Sequence, residues 1–249
     1  MFLKLSSART ALVRVAAVCA VALGAEATQT ANADTVTSTT VTIWNAATPG
    51  ATSTSASQQG LPTAVGLFGG PLPLVAASVP FAFAINYNDT SFNTIPGFFA
   101  SDTPPPPFPP GTCLSTACLT NPLSLSGFAQ ATVFRFTFME STTEIFSVTH
   151  DDGVSLFVAG TETTTCTIAN CPGDLLPLSA AVPQIVGSPT SVTIGPGTFD
   201  LWFAEVNGLP GVLEATSTVV PLPSALPLFA TGLVGLVLLG WRRKKAAAG

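Results

Sequence analysis

Phenylalanine occupies every second position from Phe134 to Phe138, and the residues between are Arg135 and Thr137. Because successive side chains of a β-strand leave opposite faces, this alternation predicts a strand with one apolar and one polar face. The same period of two recurs along the chain, bounded by Gly, Pro, Asn and Asp, which favour turns. The further segments with this period are TVTSTTVTIW, FAFAINY, FSVTH, VSLFV, SVTI and FDLWF.

Helical periodicity is missing from the sequence between Asp34 and Val220, where no 11-residue stretch shows a clear period of 3.6. Several alternating segments without intervening helices predict an all-β domain. We therefore expect a β-sandwich or barrel over residues 34–219, a length that suits one domain with a substantial core.

The N-terminal segment has the features of a secretory signal peptide. A basic start with Lys4, Arg9 and Arg14 precedes an apolar run, VAAVCAVALG, and small residues follow at Ala31 and Ala33. The apolar run is too short for a transmembrane helix. The sequence predicts export, with residues 1–33 removed by signal peptidase.

Charge is distributed very unevenly. Between Asp34 and Val220 the chain holds twelve acidic residues and a single basic residue, Arg135, which gives this part a formal charge of about −11. Nucleic-acid binding requires Lys and Arg to neutralise phosphates, so nucleic acid is excluded as a partner. Carboxylates with few cationic partners are compatible with bound cations, although acidity for solubility alone is the alternative.

Four cysteines remain after the signal peptide, in two C-x4-C pairs. An even number in an exported chain predicts two disulfides, with three possible connectivities. We expect the two local pairs, because each spacing can close a tight loop. Zinc is the weaker alternative, since the spacing is not C-x2-C and the chain has one histidine, His150. The disulfide candidates are Cys113, Cys118, Cys166 and Cys171.

Proline dominates the segment SDTPPPPFPP, which begins at Ser101 and runs into the first cysteine pair. Each proline fixes φ and disfavours the helical region for the residue before it. Residues 101–121 are therefore predicted to form an extended surface loop.

The C-terminal segment contains 16 apolar residues, 226–241, followed directly by four basic residues. As a helix this run measures about 24 Å, against a bilayer core of about 30 Å. It predicts a short transmembrane helix whose basic end stays in the cytoplasm. The stop-transfer residues are Arg242, Arg243, Lys244 and Lys245.

Residues 220–245 closely resemble the PEP-CTERM sorting signal in its Val-Pro-Leu-Pro-Ala variant, with Ser224 where Ala is commoner. The resemblance implies recognition by an exosortase, a membrane protease-transpeptidase of Gram-negative bacteria. It also implies a membrane-tethered precursor that is cleaved near the motif and delivered to the envelope surface or extracellular matrix. A plain C-terminal anchor is the alternative. The motif residues are Val220, Pro221, Leu222, Pro223, Ser224 and Ala225.

Two adjacent aspartates, Asp151 and Asp152, precede Gly153 between two alternating segments. Asp-Gly favours a hairpin turn, because such turns need positive φ at both central residues. The functional alternative is a calcium site, in which the two carboxylates supply part of the 6–8 oxygens that calcium takes.

The segments Phe134–Gly160 and Phe199–Glu214 resemble the central hairpin and closing strands of the anthrax protective-antigen-type β-domain. In the sugar-binding members an Asp-Asp pair coordinates calcium, which bridges to sugar hydroxyls. The resemblance implies that role for Asp151 and Asp152, and it implies a further ligand, Asn207, by its location in a later loop.

Catalytic motifs are missing from the sequence, and we predict that the protein is not an enzyme. Glu140 and Glu144 are the one candidate pair of glycosidase carboxylates. Three aromatic residues, Trp44, Tyr87 and Trp202, are candidates for stacking on sugar or for core packing.

The sequence as a whole predicts an exported protein of the cell envelope or matrix that an exosortase sorts. We expect calcium-dependent binding of carbohydrate, such as an extracellular polysaccharide. A structural surface or biofilm matrix protein without a ligand is the first alternative, and a glycoside-active enzyme is the second.

Overall fold

The computed structural model describes residues 33–47, 74–101, 113–114, 116–162, 171–176, 189–206 and 208–220. The predicted signal peptide up to residue 32, the helix 226–241 and the basic tail 242–245 lie outside these ranges. Within the ranges, none of the helices has the length and apolar character that a membrane crossing requires. The strands belong to one compact unit, Ala33–Val219.

The described residues form ten strands and two short helices. The helices are α1 (Ile95–Ala100) and α2 (Ala117–Thr120), and a 3₁₀ turn covers Ser126–Phe128. The strands are β1 (Ala33–Thr35), β2 (Thr37–Ala47), β3 (Leu74–Ala84), β4 (Asn86–Asp89), β5 (Gln130–Glu140), β6 (Glu144–His150), β7 (Val154–Val158), β8 (Thr190–Ile194), β9 (Gly197–Glu205) and β10 (Gly211–Val219).

The strands pair into two antiparallel five-stranded sheets. Sheet 1 has the order β1-β10-β6-β8, and β4 also pairs with β10. Sheet 2 has the order β3-β2-β5-β9-β7. From β5 to β10 successive strands alternate between the sheets, so each connection crosses from one sheet to the other. The all-β prediction is confirmed, and of the two predicted architectures these strands form the sandwich.

Aromatic side chains fill the space between the sheets. Phe134, Phe136 and Phe138 are fully buried, as their alternation with polar residues predicts. Phe138 stacks on Phe146 of β6 in the opposite sheet, with ring centroids 5.4 Å apart. The apolar face of β5 is thus the surface on which sheet 1 packs.

Helix α1 adds two further rings to this core. The Thr94 side chain caps its N-terminus by accepting a hydrogen bond from Gly97 N at 3.1 Å. Phe98 and Phe99 are fully buried, and the Phe98 ring lies 5.0 Å from the Phe134 ring. The sequence did not predict this helix, because six residues are too few to show a helical period.

The hairpin predicted at Asp-Gly is wrong. Strand β6 belongs to sheet 1 and β7 to sheet 2, so the turn between them connects the two sheets. A hairpin turn of the expected type needs positive φ, yet Gly153 is not among the described glycines with positive φ. The resemblance-based expectation of a central hairpin fails for the same reason.

The first cysteine pair forms the predicted local disulfide, Cys113–Cys118. Cys118 is fully buried, so the C-terminal end of the predicted surface loop packs into the core. The proline-rich residues 102–112 lie outside the described ranges. Cys171 is also disulfide-bonded, and its candidate partner Cys166 lies outside them as well.

Replacing Phe98 tests whether α1 is an integral part of the core. We expect Phe98→Ala to lower the free energy of unfolding by about 3–5 kcal/mol, because it leaves a cavity among aromatic rings. The matched control is Phe92→Ala, since Phe92 is 67% exposed and should cost less than about 0.5 kcal/mol. Urea unfolding measures both, and equal costs would contradict the packing assigned to α1.

Candidate functional site

Four acidic residues meet at one end of the sandwich, and we call them the acidic cluster: Asp89, Asp151, Asp152 and Glu205. Asp89 ends β4, where it pairs with Gly211 of β10. The two adjacent aspartates follow β6, and Glu205 ends β9. The charges of the three aspartates all act on the Glu205 carboxyl group.

Glu205 is the most deeply buried member of the acidic cluster. Glu205 lies two residues after Phe203 in β9, so both side chains leave the same face of the strand. The Glu205 carboxyl group therefore lies between the sheets. Its Oε1 accepts a hydrogen bond from Ser124 Oγ at 2.8 Å, whereas its buried Oε2 has no partner among the described residues. A Cβ atom on Gly211 would lie 3.0 Å from Leu123 Cδ2 and 3.4 Å from Oε2, so β10 packs closely against this carboxyl oxygen.

Burial raises the pKa of Glu205 well above its ordinary value, and the charges of Asp152, Asp151 and Asp89 raise it further. The Ser124 hydrogen bond works in the opposite direction and is too weak to reverse the shift. Burial and the neighbouring carboxylates therefore both favour the protonated form of the Glu205 side chain.

The two adjacent aspartates have different surroundings. Asp152 is buried, and its Oδ2 accepts a hydrogen bond from Val206 N at 2.7 Å. Its backbone oxygen accepts a second hydrogen bond from His150 Nδ1. Asp151 is half-buried, and burial raises the pKa of its carboxyl group to about 6. Asp151 therefore lies on the solvent side of the acidic cluster.

Asp89 contributes a second unpaired carboxylate oxygen. Its Oδ1 accepts backbone hydrogen bonds from Ser91 at 3.0 Å and from Phe92 at 2.8 Å. Its Oδ2 is buried and has no partner within the described part of the chain. The acidic cluster thus contains two buried carboxylate oxygens without a hydrogen-bond donor among the described residues.

A loop before the 3₁₀ turn supports the acidic cluster from the side. Asn93 fixes Ser124 through two hydrogen bonds, Nδ2 to the Ser124 carbonyl at 2.7 Å and Ser124 N to Asn93 Oδ1 at 3.0 Å. Ser124 Oγ in turn accepts a hydrogen bond from Gly208 N at 3.0 Å. Ser124, which donates the hydrogen bond to Glu205, is therefore itself fixed by residues from two other parts of the chain.

Positive charge to balance the acidic cluster is scarce. Arg135 is the single Lys or Arg in the described ranges, and its guanidinium lies beside the rings of Trp44 and Trp202. His150 is buried, and burial lowers its pKa, so the imidazole stays neutral. A bound cation or protons must therefore balance the carboxylates.

The described residues contain no group of three or more His, Cys, Asp or Glu side chains arranged to hold a metal ion. Calcium also accepts backbone carbonyls and water, so it does not require three protein carboxylates. Glu205 Oε2 and Asp89 Oδ2 are hard oxygen donors and fit such an ion. The predicted ligand Asn207 lies outside the described residues.

The candidate glycosidase pair is too close for that chemistry. The Glu140 and Glu144 side chains are hydrogen-bonded to each other, and burial together with the Glu144 charge raises the pKa of Glu140 to about 7. Glycosidases separate their two carboxyl groups by about 5–9.5 Å, so that a sugar and its nucleophile fit between them. Two carboxyl groups that are hydrogen-bonded to each other leave no space for a sugar between them.

The remaining candidates are dispersed. Val220 follows β10 and is partly buried, whereas the sorting residues 221–225 lie outside the described ranges. Tyr87 is fully buried and packs on Phe98 with ring centroids 4.7 Å apart, as core packing predicts. Trp44 and Trp202 stack on each other on the outer face of sheet 2.

The sequence did not predict two members of the acidic cluster, Asp89 and Glu205. A signal was present in each case, because each acid occupies a core-facing position of its strand. Asp89 lies on the same face of β4 as the buried Tyr87, and Glu205 lies on the same face of β9 as the buried Phe203. An acidic residue in the apolar phase of an alternating segment indicates a buried carboxyl group.

Comparison with models of known protein families and with curated proteins finds no match to this chain.

The raised pKa values determine how stability depends on pH. A carboxyl group whose folded pKa is raised stabilises the folded state fully below its unfolded pKa and loses that contribution as pH rises through the folded pKa. Burial raises the pKa of Asp151 and of Asp174 from 3.8 to about 6. The stability that each group contributes is therefore lost between pH 3.8 and about pH 6. For Glu205 the loss begins above 4.5 and continues to higher pH.

In EDTA, we therefore expect the melting temperature to fall from about pH 4 to about pH 6 through Asp151 and Asp174, and to fall further towards pH 8 through Glu205. Glu205→Gln removes the buried charge and keeps the shape, so it should be more stable than the wild type at pH 8. A gain of about 1 kcal/mol corresponds to about 2–4 °C for a domain of this size. Calorimetric scans across this pH range measure both effects.

The control for this experiment is Glu214→Gln, which removes a partly exposed carboxylate from β10. It should change the free energy of unfolding at pH 8 by less than about 0.5 kcal/mol. A Glu205→Gln variant that is less stable than the wild type at pH 8 in EDTA would contradict the assigned burial of charge.

Proposed function

We propose that this protein is an exported calcium-binding module that contacts carbohydrate at the cell surface or in the extracellular matrix. The observation that carries the proposal is the Glu205 carboxyl group. It is fully buried beside three aspartates, with one oxygen unpaired and no balancing Lys or Arg near it in the described ranges. A divalent cation would remove the repulsion and occupy the unpaired oxygen.

Calcium is the cation that this chemistry favours. Glu205, Asp89 and Asp152 offer carboxylate oxygens, and calcium accepts an irregular shell completed by carbonyls and water. Magnesium requires near-ideal octahedral geometry and dehydrates reluctantly, so it suits a deep irregular site less well. The role of the ion would be to neutralise the acidic cluster and to present coordination positions to a ligand.

Carbohydrate is the ligand that the sequence resemblance implies. Asp151 is half-buried, and it therefore offers a route by which sugar hydroxyls could approach an ion held by the deeper carboxylates. The net negative charge of residues 34–220 disfavours anionic partners, which supports a ligand with neutral hydroxyl groups. An extracellular polysaccharide is a ligand of this kind.

Delivery to the surface is proposed from the two ends of the sequence. The N-terminal pattern implies cleavage by signal peptidase, and residues 220–245 resemble a signal that an exosortase reads. A tether of 16 apolar residues and an extended Pro-containing motif suit a precursor that is cut outside the membrane.

Calcium should raise the melting temperature at pH 7.5. Calcium at 100 times its dissociation constant adds about 2.7 kcal/mol, or about 5–10 °C for a domain of this size. The increase should shrink at pH 5, because protons compete for the same carboxylates. We expect Glu205→Gln and Asp151→Asn to reduce the increase and Glu214→Gln to preserve it.

Two results would contradict the calcium proposal. One is a melting temperature that does not change between calcium and EDTA, and the other is a full calcium response in Glu205→Gln. Either result would favour a structural matrix protein whose aromatic core needs no ligand. Magnesium at the same concentration serves as the control for ionic strength.

The sorting proposal is tested by the intact mass of the protein recovered from the cell surface. We expect a species without residues 1–33 and without the segment after the motif at 220–225. Two disulfides should lower the mass by four hydrogens relative to the reduced chain. A mature species that still ends in RRKKAAAG would contradict exosortase processing and favour a plain anchor.

A further inference from the structure

A second group of polar and aromatic side chains lies on the outer face of sheet 2. Trp44 of β2 and Trp202 of β9 lean over the intervening strand β5 and stack with ring centroids 5.4 Å apart and planes at 14°. The Arg135 guanidinium of β5 lies 5.9 Å from the Trp44 ring and 5.7 Å from the Trp202 ring. The domain's one arginine is thus held against its two tryptophans.

Two carboxyl groups complete this group, which we call the outer-face cluster: Trp44, Arg135, Glu162, Asp200 and Trp202. The Asp200 and Glu162 side chains are hydrogen-bonded to each other, and the Arg135 charge acts on both. Thr137 Oγ1 donates a further hydrogen bond to Asp200 Oδ1 at 2.5 Å. The outer-face cluster therefore combines a planar aromatic surface with a fixed set of hydrogen-bonding groups.

Three polar atoms of the outer-face cluster are buried and have no hydrogen-bond partner among the described residues. They are the donors Trp202 Nε1 and Arg135 Nε and the acceptor Glu162 Oε1. Trp202 is 6% exposed, whereas Trp44, Arg135 and Glu162 are partly exposed. Buried polar atoms normally have partners, so these two donors and one acceptor are the groups of the outer-face cluster that an added hydroxyl would satisfy.

We propose that the outer-face cluster is a calcium-independent binding site for a neutral saccharide. A sugar hydroxyl both donates and accepts hydrogen bonds, so it satisfies unpaired donors and acceptors of one site together. The C–H face of a pyranose ring is apolar and flat, and it packs on an exposed indole face. Trp44 is the partly exposed indole, and Trp202 supports it from its covered side.

Charge favours a neutral sugar over an anionic one. The positive charge of Arg135 is faced by Glu162 and Asp200, so little of it remains for an anionic ligand. The strongly acidic domain around the site repels a uronic acid in addition. The hydroxyl groups of a neutral sugar need no positive charge for binding and are not repelled by the acidic domain.

The outer-face cluster is separate from the acidic cluster. Trp202 and Glu205 belong to the same strand, β9, but they differ in parity and leave its two opposite faces. Saccharide binding at Trp44 therefore does not depend on an ion beside Glu205. The two proposals can fail independently.

The test is a titration of the full protein in EDTA with cellohexaose, mannohexaose and a hexamer of galacturonic acid. Tryptophan fluorescence reports on the site directly, because Trp44 and Trp202 are two of the three tryptophans and the third is Trp241 in the predicted membrane segment. We expect at least one neutral hexamer to change the fluorescence with saturation, and the galacturonic acid hexamer to have no effect.

The saccharide affinities of the variants are compared by calorimetric titration, since the Trp44 substitutions remove a fluorophore. Trp44→Ala should weaken binding of the neutral hexamer at least about tenfold, and Trp44→Phe should restore part of the loss by keeping an aromatic face. Arg135→Lys should also weaken binding, because lysine lacks the planar donors. Phe92→Ala, the loss of an exposed aromatic residue elsewhere, and Glu205→Gln should leave the affinity unchanged.

Several results would overturn the proposal. They are the lack of a response to either neutral hexamer, equal affinity in Trp44→Ala, and a response to the galacturonic acid hexamer alone. Binding that appears only with calcium and disappears in Glu205→Gln would also overturn it and would support the acidic cluster as the sugar site. Binding in EDTA together with a melting temperature indifferent to calcium would support this site alone.

Discussion

Packing of aromatic rings between the two sheets is the interaction on which the rest of the structure depends. The inward face of β5 supplies a row of phenylalanines, and Phe98 of α1 packs against this row at the end near β10. A Cβ atom on Gly211 would lie 3.5 Å from the Phe98 ring and 3.4 Å from Glu205 Oε2. The acidic cluster therefore rests directly on an apolar core, where an uncompensated charge is costly.

Strand direction explains why acidic residues meet there. Strands β4 and β6 both pair antiparallel with β10, so they run the same way, and β9 ends beside them, where Val206 N donates a hydrogen bond to Asp152 Oδ2. The residues at the ends of these three strands therefore converge although they are distant in sequence. The proposed calcium site would make calcium binding depend on pH, since protons and calcium compete for the same oxygens.

Strand β9 connects the two candidate sites, because its two faces carry different chemistry. Its inward face ends in Glu205, and its outward face carries Asp200 and Trp202. One face offers hard oxygen ligands in a buried place, and the other offers an aromatic surface with hydrogen-bonding groups. The two proposals together assign a calcium-dependent contact to one face of β9 and a calcium-independent contact to the other.

Local periodicity, spacing and composition are enough to predict the all-β class, the apolar and polar faces of the main strands, the local disulfide at Cys113 and the acidity of residues 34–220. Only the folded structure shows that β6 and β7 lie in different sheets, so that a turn between the sheets replaces the expected hairpin. It also decided that Asp89 and Glu205 join Asp152, since no local pattern specifies which strand ends meet. Pairing between distant strands depends on how the aromatic faces bury each other, and that is a property of the whole folded chain.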